Sequence, residues 1–204
     1  VTTTTAVDSA FIYIIAFCIL LFAGIIFFTV FLPIRYRRSR NPKPADIGGN
    51  WLLEAGFIAA SLVVALSMFF YGLTGFRVLK TAPADAMTVT VTARQWSWVF
   101  QYDNRKKSTA LVVPQGKDVA LVLTATDVIH GFFIPAYRIK QDAVPGMKTQ
   151  AWFHAAALGS VDILCTQYCG LQHSKMLSKV YVIPPADFQK WYNGEDVDIP
   201  GLTE

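Results

Sequence analysis

The sequence predicts a two-helix membrane hairpin followed by an external all-β domain. Three observations carry that prediction. Hydrophobic residues make up 53% of the 204 positions and charged residues only 16%, against about 25% charged in an average soluble domain. Two long apolar stretches fall in the first part of the chain. Beyond Arg77 the pattern changes to short alternating segments separated by Pro, Gly, Asn and Asp. High hydrophobicity with low charge excludes a disordered chain.

The first helix is expected over residues 11–32, FIYIIAFCILLFAGIIFFTVFL, which hold no charge. About 20 apolar residues span the roughly 30 Å of bilayer hydrocarbon. The second is expected over residues 55–76, between Glu54 and Arg77. Neither stretch has the polar face of a surface helix. Cys18 reads as a small packing residue inside the first helix. Asp8 precedes the first stretch and no Lys or Arg does, so the basic flank of a cleaved secretory signal is missing. The basic residues follow instead: Arg35, Arg37, Arg38, Arg40 and Lys43. The positive-inside rule places such a connector in the cytoplasm. The N-terminus and everything after Arg77 are then expected outside. This flank accounts for the run RYRRSR, so nucleic acid is not expected as a partner. The formal charge of +4 adds no argument for one. The expected division is a membrane hairpin over 1–82 and an external domain over 83–204.

In the external part, 87–93 (MTVTVTA) alternates with period two. Further strands are expected over 95–102, 118–125, 149–155, 160–164 and 178–183, with a short helix over 186–192 after Pro184 and Pro185. Breakers such as VPQGKD and AVPGM separate them. Short strands at this spacing suggest a sandwich or barrel. His154 falls in a strand pattern and reads as an ordinary histidine.

The chemistry concentrates in residues 165–176, CTQYCGLQHSKM, which read C-x3-C-x3-H-x2-M. Thiolate, imidazole and thioether suit copper better than magnesium or calcium. Cys169, His173 and Met176 have the order of a blue-copper loop, which needs a second histidine from elsewhere. His130 is the candidate, expected at a strand end near a turn. The extra thiol, Cys165, could bridge two copper ions together with Cys169. Two alternatives stay open: a Cys165–Cys169 disulfide in an oxidising exterior, and a tetrahedral zinc site that leaves Met176 without a role.

The apolar hairpin, Gln95-Trp96-Ser97-Trp98, His130, the segment KQDAVPGM over 140–147 and the 165–176 loop together resemble subunit II of the haem–copper cytochrome oxidases. The resemblance covers nearly the whole chain. It implies a cupredoxin-like Greek-key barrel holding a dinuclear copper centre, CuA. The implied ligands are His130, Cys165, the main-chain carbonyl of Gln167, Cys169, His173 and Met176. It implies electron uptake at Trp96, whereas strand alternation would send Trp96 and Trp98 to one face and leaves core packing open. It implies that Asp142 lies near a magnesium site and haem propionates; by itself Asp142 reads equally as a solvated turn residue. Met147 stands where the family commonly has arginine. Glu54 resembles the acid at the mouth of a proton channel into subunit I, and also fits a helix-start charge favoured by the dipole. Gln167 departs from the family, which usually has a glutamate whose carboxylate binds Mg²⁺. Hard Mg²⁺ prefers carboxylates and water, so magnesium binding is expected to weaken while the copper-binding carbonyl is kept.

The function implied is that of a redox subunit in a proton-translocating respiratory complex. A cytochrome c or another haem protein would deliver electrons to the external domain. Haem in subunit I would receive them for O2 reduction. The expected location is an inner membrane of bacterial type or its organellar equivalent, with the copper domain periplasmic. Other readings are the copper subunit of a CuA-type nitric oxide reductase, a copper-free structural subunit of a quinol oxidase, and a periplasmic copper carrier. The complete ligand set speaks against the second, the two spanning helices against the third. No C-x-x-C-H occurs, so no c-type haem is expected on this chain.

Overall fold

A computed structural model describes residues 2–43 and 48–202. Asp8–Thr74 form one compact unit and the rest of the described chain forms another.

The first unit is built from α1 (Thr3–Arg35) and α2 (Trp51–Lys80). Both helices are long and apolar enough to cross a membrane, and none of their apolar stretch is buried within the chain. They run beyond the uncharged stretches at both ends, because polar flanks can still be helical. At the start of α2 the reason is local. The Asn50 side-chain oxygen accepts the N–H groups of Leu52 at 3.1 Å and Leu53 at 3.3 Å, which makes it the N-cap. A polar contact joins the two helices: Tyr13 Oη donates to Ser67 Oγ at 2.8 Å.

The second unit is a sandwich of two five-stranded sheets. Its strands are β1 (Met87–Arg94), β2 (Ser97–Gln101), β3 (Lys107–Ser108), β4 (Leu111–Pro114), β5 (Asp118–Ala125), β6 (His130–Ile134), β7 (Ile139–Ala143), β8 (Thr149–His154), β9 (Gly159–Cys165) and β10 (Leu177–Ile183). One sheet has the order β3-β2-β1-β5-β8 and the other β4-β10-β9-β6-β7. Two parallel neighbours, β1 with β5 and β4 with β10, rule out a simple meander. The alternation that predicts β1 and β5 is the real one. Val89, Val91, Ala93, Val119, Leu121 and Leu123 all point into the core.

The strands absent from the sequence reading are β3, β4, β6 and β7. In β4 all four residues are buried, and in β6 four of five are, so neither shows a polar face to reveal its period. The expected strand over 95–102 begins later, at Ser97, because Gln95 and Trp96 form the turn of the β1–β2 hairpin. The short helix appears as α3 (Pro185–Tyr192), with Phe188 and Trp191 buried. The end of α2 belongs to this unit: Trp152 Nε1 donates to the Val78 carbonyl at 2.7 Å. His154 pairs with Asp118 at 2.7 Å across β5 and β8.

Candidate metal centre

β6 is the element that assembles the site. It pairs with β7 through His130↔Ala143 and with β9 through Phe132↔Cys165. His130 therefore opens a strand instead of closing the one before it, and its side chain is fully buried. Cys165 ends β9, and the chain crosses to β10 through residues 166–176. Two contacts seat this loop on β6. The Thr166 N–H donates to the Gly131 carbonyl at 2.9 Å. A Cβ on Gly131 would run into Thr166 Oγ1 and come within 2.9 Å of the Gln167 nitrogen, so only glycine fits there. A 3-10 turn over His173–Lys175 then folds Met176 back under the loop.

These constraints gather six donor atoms. The Sγ atoms of Cys165 and Cys169 are 3.8 Å apart. Cys165 Sγ lies 3.3 Å from the Gln167 carbonyl oxygen. Cys169 Sγ lies 3.5 Å from His173 Nδ1 and 3.8 Å from Met176 Sδ. His130 Nδ1 is 3.1 Å from that same sulfur. Ligand atoms of His130, Cys165 and Cys169 all fall within 4.8 Å of one another. Both cysteines are free thiols. Two thiols, two imidazoles and a thioether make a soft to borderline set, which fits copper. The Met176 side chain is completely buried with its sulfur against His130 and Cys169, an arrangement that a zinc site does not use.

The surroundings tune these groups. Burial, reinforced by the neighbouring Cys165, pushes the Cys169 thiol up to about 11. Metal binding must therefore displace a proton from a thiol that is neutral at pH 7. Asp127 accepts from His130 Nε2 at 2.9 Å. A carboxylate can only accept, so Nε2 carries the proton and Nδ1 keeps its lone pair toward the cluster. Burial pushes the Asp127 carboxyl up, but hydrogen bonds from His130 and from the Gln95 and Val128 N–H groups outweigh it and hold it below its ordinary value. Asp127 is a site residue that sequence reasoning missed. The only signal was an acid three positions before the histidine.

Trp96 and Trp98 do not share a strand face. Trp98 is buried in β2, edge-on to Phe132 at 5.1 Å and 6.0 Å from the His130 ring. Trp96 sits in the hairpin turn, half-buried, and its Nε1 donates to the Cys169 carbonyl at 3.2 Å. Asp142 lies in β7 opposite Gly131, and its carbonyl accepts Thr149 Oγ1 at 2.5 Å. Glu54 lies in the first turn of α2, in the hairpin unit.

Residues 105–183 match the family model for the cytochrome c oxidase subunit II periplasmic domain. An alternative cytochrome c oxidase subunit 2 of Bradyrhizobium diazoefficiens is 27% identical over 83% of this chain and 73% of its own length. A cytochrome c oxidase subunit 2 of Thermostichus vulcanus is 42% identical, over 53% of this chain and 33% of its own length. The crystal structure of the periplasmic domain of cytochrome oxidase subunit II from Bradyrhizobium japonicum is similar with a TM-score of 0.53 and 30% identity. That match covers 55% of this chain and 95% of that domain. The chain belongs to the cytochrome c oxidase subunit II family. As a member of that family it is a membrane-anchored subunit of a haem–copper terminal oxidase with a cupredoxin-like β domain. The His130, Cys165 and Cys169 cluster is where this family member has a set of side chains fit to hold a metal.

Proposed function

We propose that this chain is the electron-accepting subunit of its oxidase, taking electrons from a cytochrome c or similar haem protein and delivering them to haem in subunit I. The observation that carries the reading is the convergence of donors from His130, Cys165, Gln167, Cys169, His173 and Met176 on one loop and one strand end. Held by these six residues, a dinuclear copper centre would supply reversible one-electron chemistry.

The chain's own residues do the rest. Completely buried Met176 and His130 keep water off one side of the cluster. Two sheets and the Gly131 contact hold the ligands in place before and after reduction, so little rearrangement opposes transfer. Asp127 fixes the His130 ring, the kind of outer contact that tunes a metal ligand. Trp96 links the surface to the Cys169 main chain through its indole N–H, which suits it to electron uptake. In this reading the copper domain faces the periplasm, or its organellar equivalent, and the Arg35–Lys43 connector faces the cytoplasm. Glu54 would mark the mouth of a proton path into subunit I. Asp142 would stand beside a magnesium position weakened by the neutral Gln167.

Rapid mixing of the assembled oxidase with reduced cytochrome c tests the proposal. Reduction of the partner haem should depend on this site, so Cys165→Ser, which removes a ligand, should slow it by more than the roughly 10–100-fold that loss of an outer contact to a metal site costs. Haem reduction at an unchanged rate in that variant would reject the assignment.

A further inference from the structure

We propose that Gln95 is a positioning residue for electron uptake: its side-chain amide fixes the Cys169 carbonyl that also holds the Trp96 indole. The proposal rests on Trp96 being the uptake residue. Gln95 is gripped at both ends. Its backbone N–H donates to Asp127 Oδ2 at 2.6 Å, while the other oxygen of that carboxylate faces His130 Nε2 at 2.9 Å. Its side-chain Nε2 donates to the Cys169 carbonyl at 2.7 Å. The chain of contacts thus runs from His130 through Asp127 and Gln95 to Cys169 and begins and ends on residues of the donor cluster.

The Cys169 carbonyl has two lone pairs, and two donors use them. One is the Gln95 amide at 2.7 Å and the other the Trp96 indole at 3.2 Å. The shorter bond sets where the oxygen points, and the longer one follows. Gly170 makes room for both side chains. Its φ is +118°, and a Cβ there would lie 3.0 Å from Gln95 Nε2 and 3.2 Å from Trp96 Cζ2. Gln95 is otherwise an exposed turn residue, so core packing gives no reason for an amide at this position. Loss of the amide donor leaves the carbonyl with one partner. The Trp96 contact then loses its fixed geometry, although every metal-donor residue is still present.

The test uses two variants, Gln95→Glu and Gln95→Met, neither of which can donate at pH 7. The full chain in detergent, labelled with 15N at the tryptophan indoles, gives one signal for each of its five tryptophans. Trp96→Phe identifies the relevant one. Both Gln95 variants should shift the Trp96 indole signal and speed its hydrogen exchange, with the copper absorption spectrum retained. In the assembled oxidase both should slow electron uptake from reduced cytochrome c by about tenfold, as outer contacts to a metal site commonly do. An unmoved indole signal, or an unchanged uptake rate in both variants while Trp96→Phe slows it, would overturn the role of Gln95. An unchanged rate in Trp96→Phe itself would instead overturn the uptake assignment on which the proposal rests.

Discussion

In the hairpin the large apolar side chains face outward, and in the β domain the same residue types face inward. Phe22, Leu53 and Phe57 are 63%, 71% and 74% exposed, whereas Phe100, Phe132 and Phe153 are completely buried. A bilayer solvates the first set, so the hairpin needs no core of its own, only internally satisfied backbone groups. Water does not solvate the second set, and burying it supplies roughly 25 cal/mol per Å² of apolar surface. Polar contacts differ in the same way. The hairpin shows a tyrosine–serine bond and a ring stack, Tyr13 on Tyr71 at 4.7 Å. The β domain adds a linked set of polar contacts at one end of the sandwich, where Asp127 and Gln95 hold the donor loop and Gly131 lets it pack close. The lesson is one of division of labour. The lipid-facing part has loose sequence demands, and the water-facing part has exacting ones at a few positions.

The largest effect should come from Gly131, which allows the loop to touch β6. Gly131→Ala should cost the β domain about 3 kcal/mol or more, the upper end of the penalty for forcing atoms into a packed site, and should alter the metal spectrum as well. Denaturant unfolding of the full chain followed by tryptophan fluorescence reads the first, absorption the second. A silent substitution would mean that the loop is not held where the contacts place it.

A middle-sized effect is expected at Tyr102, whose buried hydroxyl donates to the Val112 carbonyl at 2.9 Å and accepts the Val112 N–H at 2.8 Å. Burial raises the pKa of this phenol, and its hydrogen bond to Val112 offsets part of the rise. The folded value lies above the unfolded value of about 10. The stability it contributes is therefore complete below about pH 10 and is lost as pH climbs beyond that. Tyr102→Phe should cost about 1–3 kcal/mol at pH 7 by leaving buried groups unpaired. It should also flatten the alkaline loss of stability. Melting curves from pH 7 to alkaline pH compare the two proteins.

The smallest effect belongs to the hairpin. Tyr13→Phe removes the bond to Ser67 and should cost about 0.6 kcal/mol, the average for such pairs in membrane proteins. The metal spectrum should not change. A large loss would show that the hairpin is as exacting as the β domain, and the contrast between the two regions would collapse.

Legibility in the sequence followed the same contrast. The helices could be read from composition because a bilayer requires an unbroken apolar run, yet their ends could not, since Asn50 capping leaves no hydropathy signal. Strands β1 and β5 showed their period because one face is less buried than the other. β4 and β6 showed none, being buried on both faces. The donor loop was visible because five of its chemistry-bearing positions lie within residues 165–176. The link between Asp127 and Gln95, and from Gln95 to Cys169, was not, because those partners are 32 and 74 positions apart and meet only after the sheets fold. Trp96 and Trp98 look alike in sequence, and only the hairpin turn assigns one to the loop contact and the other to the core.

The central claim is that the water-facing domain holds two copper ions through both cysteines. Copper analysis combined with electron paramagnetic resonance of the full chain, reconstituted with copper and half-reduced, tests it most directly. The account predicts two coppers per chain and a hyperfine pattern in which one unpaired electron is shared equally by both nuclei. One copper per chain, with a pattern from a single nucleus, would contradict it.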